Sequence, residues 1–195
     1  MVSKLVIYRR KLVKMQKLYF NIFIIVFCYF PVLAFAGRDI FNETKMLAEW
    51  GKTTAQYELG LMYYEGQGVE QNYKEAFKWF KVSAKKGLPD AQFYLGLMYY
   101  EGKSVARNYS NAFYLFLSAA KQGQTEAQFI LGNMYMSGQG IQRNYINAYA
   151  WTSIAYKNGH DQAQQNLQFL NKSMTASELE KAVAEATRLN KYFNK

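Results

Sequence analysis

This sequence of 195 residues has one cysteine, Cys28, and one histidine, His160, and its first 36 residues hold no acidic side chain. Each scarcity excludes something. Cys28 lies inside an apolar run and is followed by Tyr29, so it lacks the small-residue surroundings of a lipoprotein signal, and beyond residue 36 the chain is free of cysteine. An oxidising compartment therefore imposes no disulfide framework on it. A lone histidine without cysteine does not supply the ligand sets that hold zinc, and the acidic residues do not recur as paired catalytic sites. His160 follows Gly159 and precedes the next helical pattern, so it reads as a solvent-exposed turn residue. The loops GQGV at 66–69 and GQGI at 138–141 lack the preceding strand and the Gly-Lys-Ser/Thr ending of a phosphate cradle, and their glycines read as turn formers. No catalytic residue, metal or cofactor is expected.

The missing acids set residues 1–36 apart. Lys4, Arg9, Arg10, Lys11, Lys14 and Lys17 precede the apolar run LYFNIFIIVFCYFPVLAFA, Pro31 breaks that run, and Ala34-Phe35-Ala36 ahead of Gly37 is a small-x-small cleavage pattern. This predicts a signal peptide over 1–36, with Met15 as an alternative start, cleaved near Ala36-Gly37 to leave a periplasmic or secreted protein. An uncleaved inner-membrane anchor is the alternative, since about 18 apolar residues also span a bilayer. Without the leader, 18 basic residues face 14 acidic ones, a net +4. Those charges are dispersed along the sequence, whereas a nucleic-acid footprint needs Lys and Arg clustered on one face. No nucleic-acid partner is expected, and a membrane only through an uncleaved leader.

What the sequence does have is repetition. The octet LGLMYYEG at 59–66 returns at 95–102, and a period of 36 aligns 55–90, 91–126 and 127–162. Periods of this size belong to solenoids and arrays. Apolar residues at Ala55, Leu59, Met62 and Tyr63 follow helical spacing, as do Tyr73, Ala76, Phe77 and Phe80. Each unit therefore reads as helix A, about 55–65, and helix B, about 73–86. Asn72, Asn108 and Asn144 stand where helix B needs a cap, with Glu75 completing a capping-box pattern, and Gly87, Gly123 and Gly159 fall just past its end. Gly60, Gly96 and Gly132 sit inside helix A, where glycine costs about 1 kcal/mol relative to alanine. Close approach to Ala76, Ala112 and Ala148 of helix B is the simplest reason. The expected fold is all-α, an α/α solenoid of 36-residue helix-turn-helix repeats with a C-terminal capping helix. Residues 37–54 form an N-terminal partial repeat or cap, 55–162 three repeats, and 163–195 a partial fourth repeat and the capping helix.

The pattern A-Q-x-x-L-G-x-M-Y-x-x-G-x-G-V, then N-Y-x-x-A-x-x-W, then Ala and Gly, resembles the Sel-one-like repeat (SLR) family, related to the tetratricopeptide repeat. It covers 48–170 almost continuously, departing where Ser104 replaces a loop glycine and Leu115 the tryptophan. The tail SMTASELEKAVAEATRLN resembles the closing helix of exported members, with Thr175 and Glu178 as a capping box. The resemblance implies a protein-protein interaction scaffold or adaptor in a bacterial cell envelope, its partner another protein or a peptide. A secreted host-interaction factor or a periplasmic immunity protein that sequesters an effector is the alternative. A cell-wall or β-lactam hydrolase would need a polar constellation that the sequence does not display. In tetratricopeptide-like superhelices helix A lines the concave face. Carried over by position, this gives Tyr57, Leu61, Tyr64 and Glu65, then Phe93, Leu97, Tyr100 and Glu101, then Phe129, Asn133 and Met136 as partner-binding candidates. Tyr57, Phe93 and Phe129 have inter-repeat core as an equal alternative.

Overall fold

The computed structural model describes residues 38–193, so the leader and its cleavage site lie outside the described residues. Every element within them is a helix: α1 over 38–49, α2 Thr53–Glu65, α3 Tyr73–Lys85, α4 Pro89–Glu101, α5 Tyr109–Lys121, α6 Thr125–Ser137, α7 Tyr145–Lys157, α8 Ala163–Ser173 and α9 Ala176–Phe193. The A helices are α2, α4 and α6, and the B helices α3, α5 and α7. Each A helix starts two residues earlier than its apolar spacing predicts, with Pro89 opening α4, where a missing N–H costs nothing. Among the described residues no helix is long and apolar enough to cross a membrane.

Helix ends follow the side chains. The Asn72 carboxamide accepts from the N–H groups of Lys74 and Glu75 at 3.1 Å, Asn108 from Asn111 at 2.9 Å and Asn144 from Asn147 at 3.0 Å. The capping box expected at Glu75 does not close. The Asn72 N–H donates instead to the Tyr63 carbonyl at 2.8 Å, and Asn108 and Asn144 donate likewise to Tyr99 and Tyr135 at 2.8 Å. That bond ties each loop shut and leaves Glu75 to pair with Lys78 at 2.5 Å. The A helices end on Gly66, Gly102 and Gly138 at φ of 77 to 79°, and each N–H there donates to a methionine carbonyl four residues back. Ser104, in the loop position held elsewhere by Gly68 and Gly140, takes the same left-handed conformation at φ 61°.

The glycines inside the A helices mark a close approach, in the first two hairpins to a phenylalanine rather than to Ala76 and Ala112, and in the third to the Ala148 backbone as expected and to Thr152. A Cβ on Gly60 would stand 2.7 Å from the Phe80 ring, and one on Gly96 2.8 Å from Phe116. Each hairpin thus closes by sinking a helix-B phenylalanine against the bare backbone of helix A, and both rings are fully buried. In the third hairpin the equivalent residue is Thr152, against which Gly132 packs together with the Ala148 carbonyl.

A second recurring device lies between repeats. Gln56, Gln92 and Gln128 are buried, and each donates to the carbonyl of an alanine near the end of the preceding helix: Ala48 at 3.0 Å, Ala84 at 3.4 Å and Ala120 at 3.1 Å. Gln92 and Gln128 also accept from Gln122 at 2.9 Å and Asn158 at 2.8 Å, at the end of their own helix B. Lys86 holds that place in the first unit but donates to the Gly51 carbonyl at 2.8 Å, leaving the Gln56 carbonyl oxygen buried without a partner.

At the C-terminal end α8 repeats helix A, with Ala163 and Leu170 buried where Ala55 and Met62 are in the first unit. The loop after it is lost. Thr175 and Glu178 exchange hydrogen bonds, the Thr175 N–H to Glu178 at 2.9 Å and the Glu178 N–H to Thr175 at 3.3 Å, and open α9 directly. α9 packs chiefly on α7, with Leu189 in the central core and Phe193 stacked on Trp151 at 5.7 Å. It covers the apolar face that the last B helix would otherwise expose.

Candidate functional site

The candidates predicted on the A helices divide into three groups. Phe93 is buried in the central core, its ring 5.8 Å from Phe116, so it supports the face from beneath. Phe129 stacks on His160 at 3.9 Å, which corrects the reading of that histidine as a free turn residue: its Nδ1 is buried. Met136 packs into the C-terminal core cluster.

Tyr64 and Tyr100 are half-buried staples between repeats. The Tyr64 ring lies 5.2 Å from Tyr73 and 5.7 Å from Tyr94, and its hydroxyl accepts from the Lys103 ammonium at 2.8 Å. Tyr100 lies 5.1 Å from Tyr109 and donates to Gln139 at 2.8 Å. Each tyrosine thus bonds the residue that follows the helix-ending glycine of the next unit. Lys103 also pairs with Glu101 at 2.7 Å, and those two bonds, Glu101 first, hold its ammonium well above the usual lysine range.

The third group opens to solvent or forms the half-buried floor: Tyr57, Leu61, Glu65, Leu97 and Asn133. Leu61, Leu97 and Asn133 occupy one register, continued by the exposed Phe169 of α8, and Asn133 accepts from Asn166 at 2.6 Å. Sequence reasoning missed Tyr94. It stacks on Phe80 at 5.2 Å and stands 5.9 Å from Tyr57, bridging two repeats. Its register reads Glu58, Tyr94, Ile130, and variation at a fixed place in a period of 36 was the available signal. The Gln56, Gln92, Gln128 ladder was missed too, although its mark was the recurring Ala-Gln pair.

Charge sorts by layer. The A helices carry Glu58, Glu65, Asp90, Glu101 and Glu126 and no lysine or arginine; the B helices carry six lysines against the single Glu75. Charges dispersed in sequence are therefore sorted by helix type. Several of these carboxylates act on two phenols. Burial raises the Tyr57 phenol far above its ordinary value, helped by Tyr94, Asp90, Glu65 and Glu58. Tyr94 is raised by burial and then by Glu65, Tyr64, Asp90 and Glu126.

The A-helix face thus combines interlocked aromatic rings, half-buried apolar side chains and carboxylates. The Sel1 repeat model matches residues 53–88, 89–124 and 125–160. The chain belongs to the Sel1 repeat family. Two solved structures bear this out. A protective antigen of uropathogenic Escherichia coli strains with an SLR fold matches at 33% identity and a TM-score of 0.73 over 78% of this chain, which spans 33% of that protein. A Sel1 repeat protein from Oxalobacter formigenes matches at 37% identity and a TM-score of 0.61, with 67% of this chain and 98% of that one covered. No curated protein matches. Sel1 repeat proteins generally act as non-enzymatic scaffolds for protein-protein interaction.

Proposed function

We propose that this Sel1 repeat protein is an interaction scaffold of the bacterial cell envelope that holds a partner protein on its A-helix face, the concave side of tetratricopeptide-like superhelices. One observation carries the reading: the register Leu61, Leu97, Asn133 and Phe169 repeats along successive A helices at the surface, over a floor of interlocked aromatic rings. Tyrosine-rich, pre-organised surfaces gain contact area with little side-chain entropy to lose. The envelope assignment rests on the basic and apolar segment ahead of Gly37.

A photo-reactive amino acid placed at Leu61 and at Leu97 in living cells tests the face. One crosslinked partner is expected from both positions and none from Tyr114 on the opposite layer, which is 65% exposed. Crosslinks from Tyr114 alone would overturn the proposal. The mass of the mature protein tests the location: a chain beginning at Gly37 in the periplasmic or secreted fraction is expected.

A further inference from the structure

We infer that the partner segment held on the A-helix face is cationic, with lysine or arginine interspersed among apolar side chains. The inference rests on the proposed use of that face and specifies what occupies it.

The surface joins two kinds of contact. Tyr57, Leu61, Tyr94 and Leu97 make its aromatic and apolar centre, and Glu58, Glu65, Asp90 and Glu126 lie on three successive A helices, each acting with burial to raise one or both phenols. None of those four carboxylates makes an ion pair among the described residues. The nearby lysine, Lys103, is committed to Glu101 and Tyr64. Asp90 and Glu126 have a local reason to be acidic, since each lies in the first turn of its helix, where the dipole favours an anion. Glu65 has the opposite placement. It ends α2, where the helix dipole opposes a negative charge, and it accepts from the Gln67 amide. Glu58 lies mid-helix and exposed. Four unpaired negative charges beside desolvated tyrosines repel one another, and an incoming cation relieves that repulsion. Arginine and lysine also sit favourably over tyrosine rings, as Lys103 does 4.8 Å above Tyr64.

The spacing suits a short stretch of chain. Helices in direct contact pack about 8–10 Å apart, so three successive A helices span at least about 20 Å. At least about six residues of extended chain cover that distance at about 3.3 Å each. In an extended segment every second side chain faces the surface, so cationic and apolar side chains must both fall among those positions, the cations toward the acids and the apolar groups on Leu61 and Leu97, as a three-residue repeat provides.

The test uses the full chain and two fluorescent 12-residue probes, one of repeating Lys-Leu-Ser and one of repeating Glu-Leu-Ser, read by anisotropy at low and physiological salt. The lysine probe is expected to bind and to weaken with salt, and the glutamate probe not to bind. The variant E58Q/E65Q/D90N/E126Q should lose about tenfold or more in affinity, because four partly exposed ion pairs of ordinary strength amount to about that factor. E43Q/D161N/E180Q, exposed acids elsewhere, should bind as the parent does, and equal melting temperatures exclude unfolding. Equal binding of both probes, no binding of the lysine probe, or an unchanged quadruple variant overturns the cationic partner, while the Leu61 and Leu97 crosslinks still judge the face itself. Self-association abolished in the quadruple variant would identify the occupant as the lysine-rich B layer of a second copy and overturn the proposal of a separate partner.

Discussion

The first two hairpins and the third close on the same period with different parts. In α2–α5 a phenylalanine enters the notch at Gly60 or Gly96; in α6–α7 the smaller Thr152 does so, its hydroxyl buried without a partner. The first two present Tyr64 and Tyr100, which staple the next unit, whereas the third presents Met136, which turns into the C-terminal core. The α2–α5 half is therefore regular and aromatic, and the α6–α9 half is adapted to end the array. Exact repetition serves stacking, and departure from it serves termination.

That contrast can be broken at one position. Phe116→Ala should cost about 4 kcal/mol by removing a fully buried ring, while Thr152→Val, which removes an unpartnered hydroxyl at equal shape, should leave stability unchanged or raise it by about 1 kcal/mol. Denaturant unfolding of the two variants measures both. Gly96→Leu sharpens the comparison from the other side: a loss of about 3 kcal/mol is expected because the Phe116 ring has nowhere to move, and an unchanged midpoint would remove the notch account.

The amide ladder gives a graded series. Gln128→Leu leaves the Ala120 carbonyl and the Asn158 amide without their bonds and should cost about 2 kcal/mol. Gln56→Leu breaks one bond and also removes an unpartnered buried oxygen, so about 1 kcal/mol or less is expected from thermal melts. Ser104→Gly should gain about 1 kcal/mol, since a side chain in the left-handed region costs about 1–2 kcal/mol and glycine gives part of that back in entropy.

The smallest effect separates the two ends by pH. Bonds from the Thr175 backbone and hydroxyl hold Glu178 below the usual carboxylate range, and Arg188 does the same for Glu185. Folded-state values lowered in this way contribute stability at neutral pH, and that contribution is lost as pH falls through the carboxylate range toward the depressed values. Both groups belong to α9, so amide exchange should show α9 loosening before α2–α5 on acidification.

Much of this was legible beforehand. The helices, their asparagine caps, the Thr175–Glu178 box and the glycine ends follow from side chains acting within a few residues of themselves, where sequence distance and spatial distance coincide. The errors arose where they part. Gly60 was paired with Ala76 because both are small, but the notch receives Phe80, one turn further along α3. Glu75 matched a capping box, yet the amide it needed was taken by the Tyr63 carbonyl. His160 looked exposed in its turn, and only the partner helix brings Phe129 under its ring.

The sequence by itself determined the period, the helical hairpin and the family, because each depends on contacts that recur at a fixed offset and can be read by laying the chain on itself. Which side chains meet across repeats was decided by the tertiary structure. Stacking brought Tyr57, Tyr64 and Tyr94 together from two units and tied Lys103 to Tyr64. It also set A helices that carry acids and no lysine or arginine against B helices that carry six lysines and the single Glu75. A residue's neighbours in a solenoid lie across its own hairpin or about one repeat away, and their identity follows from how the units pack.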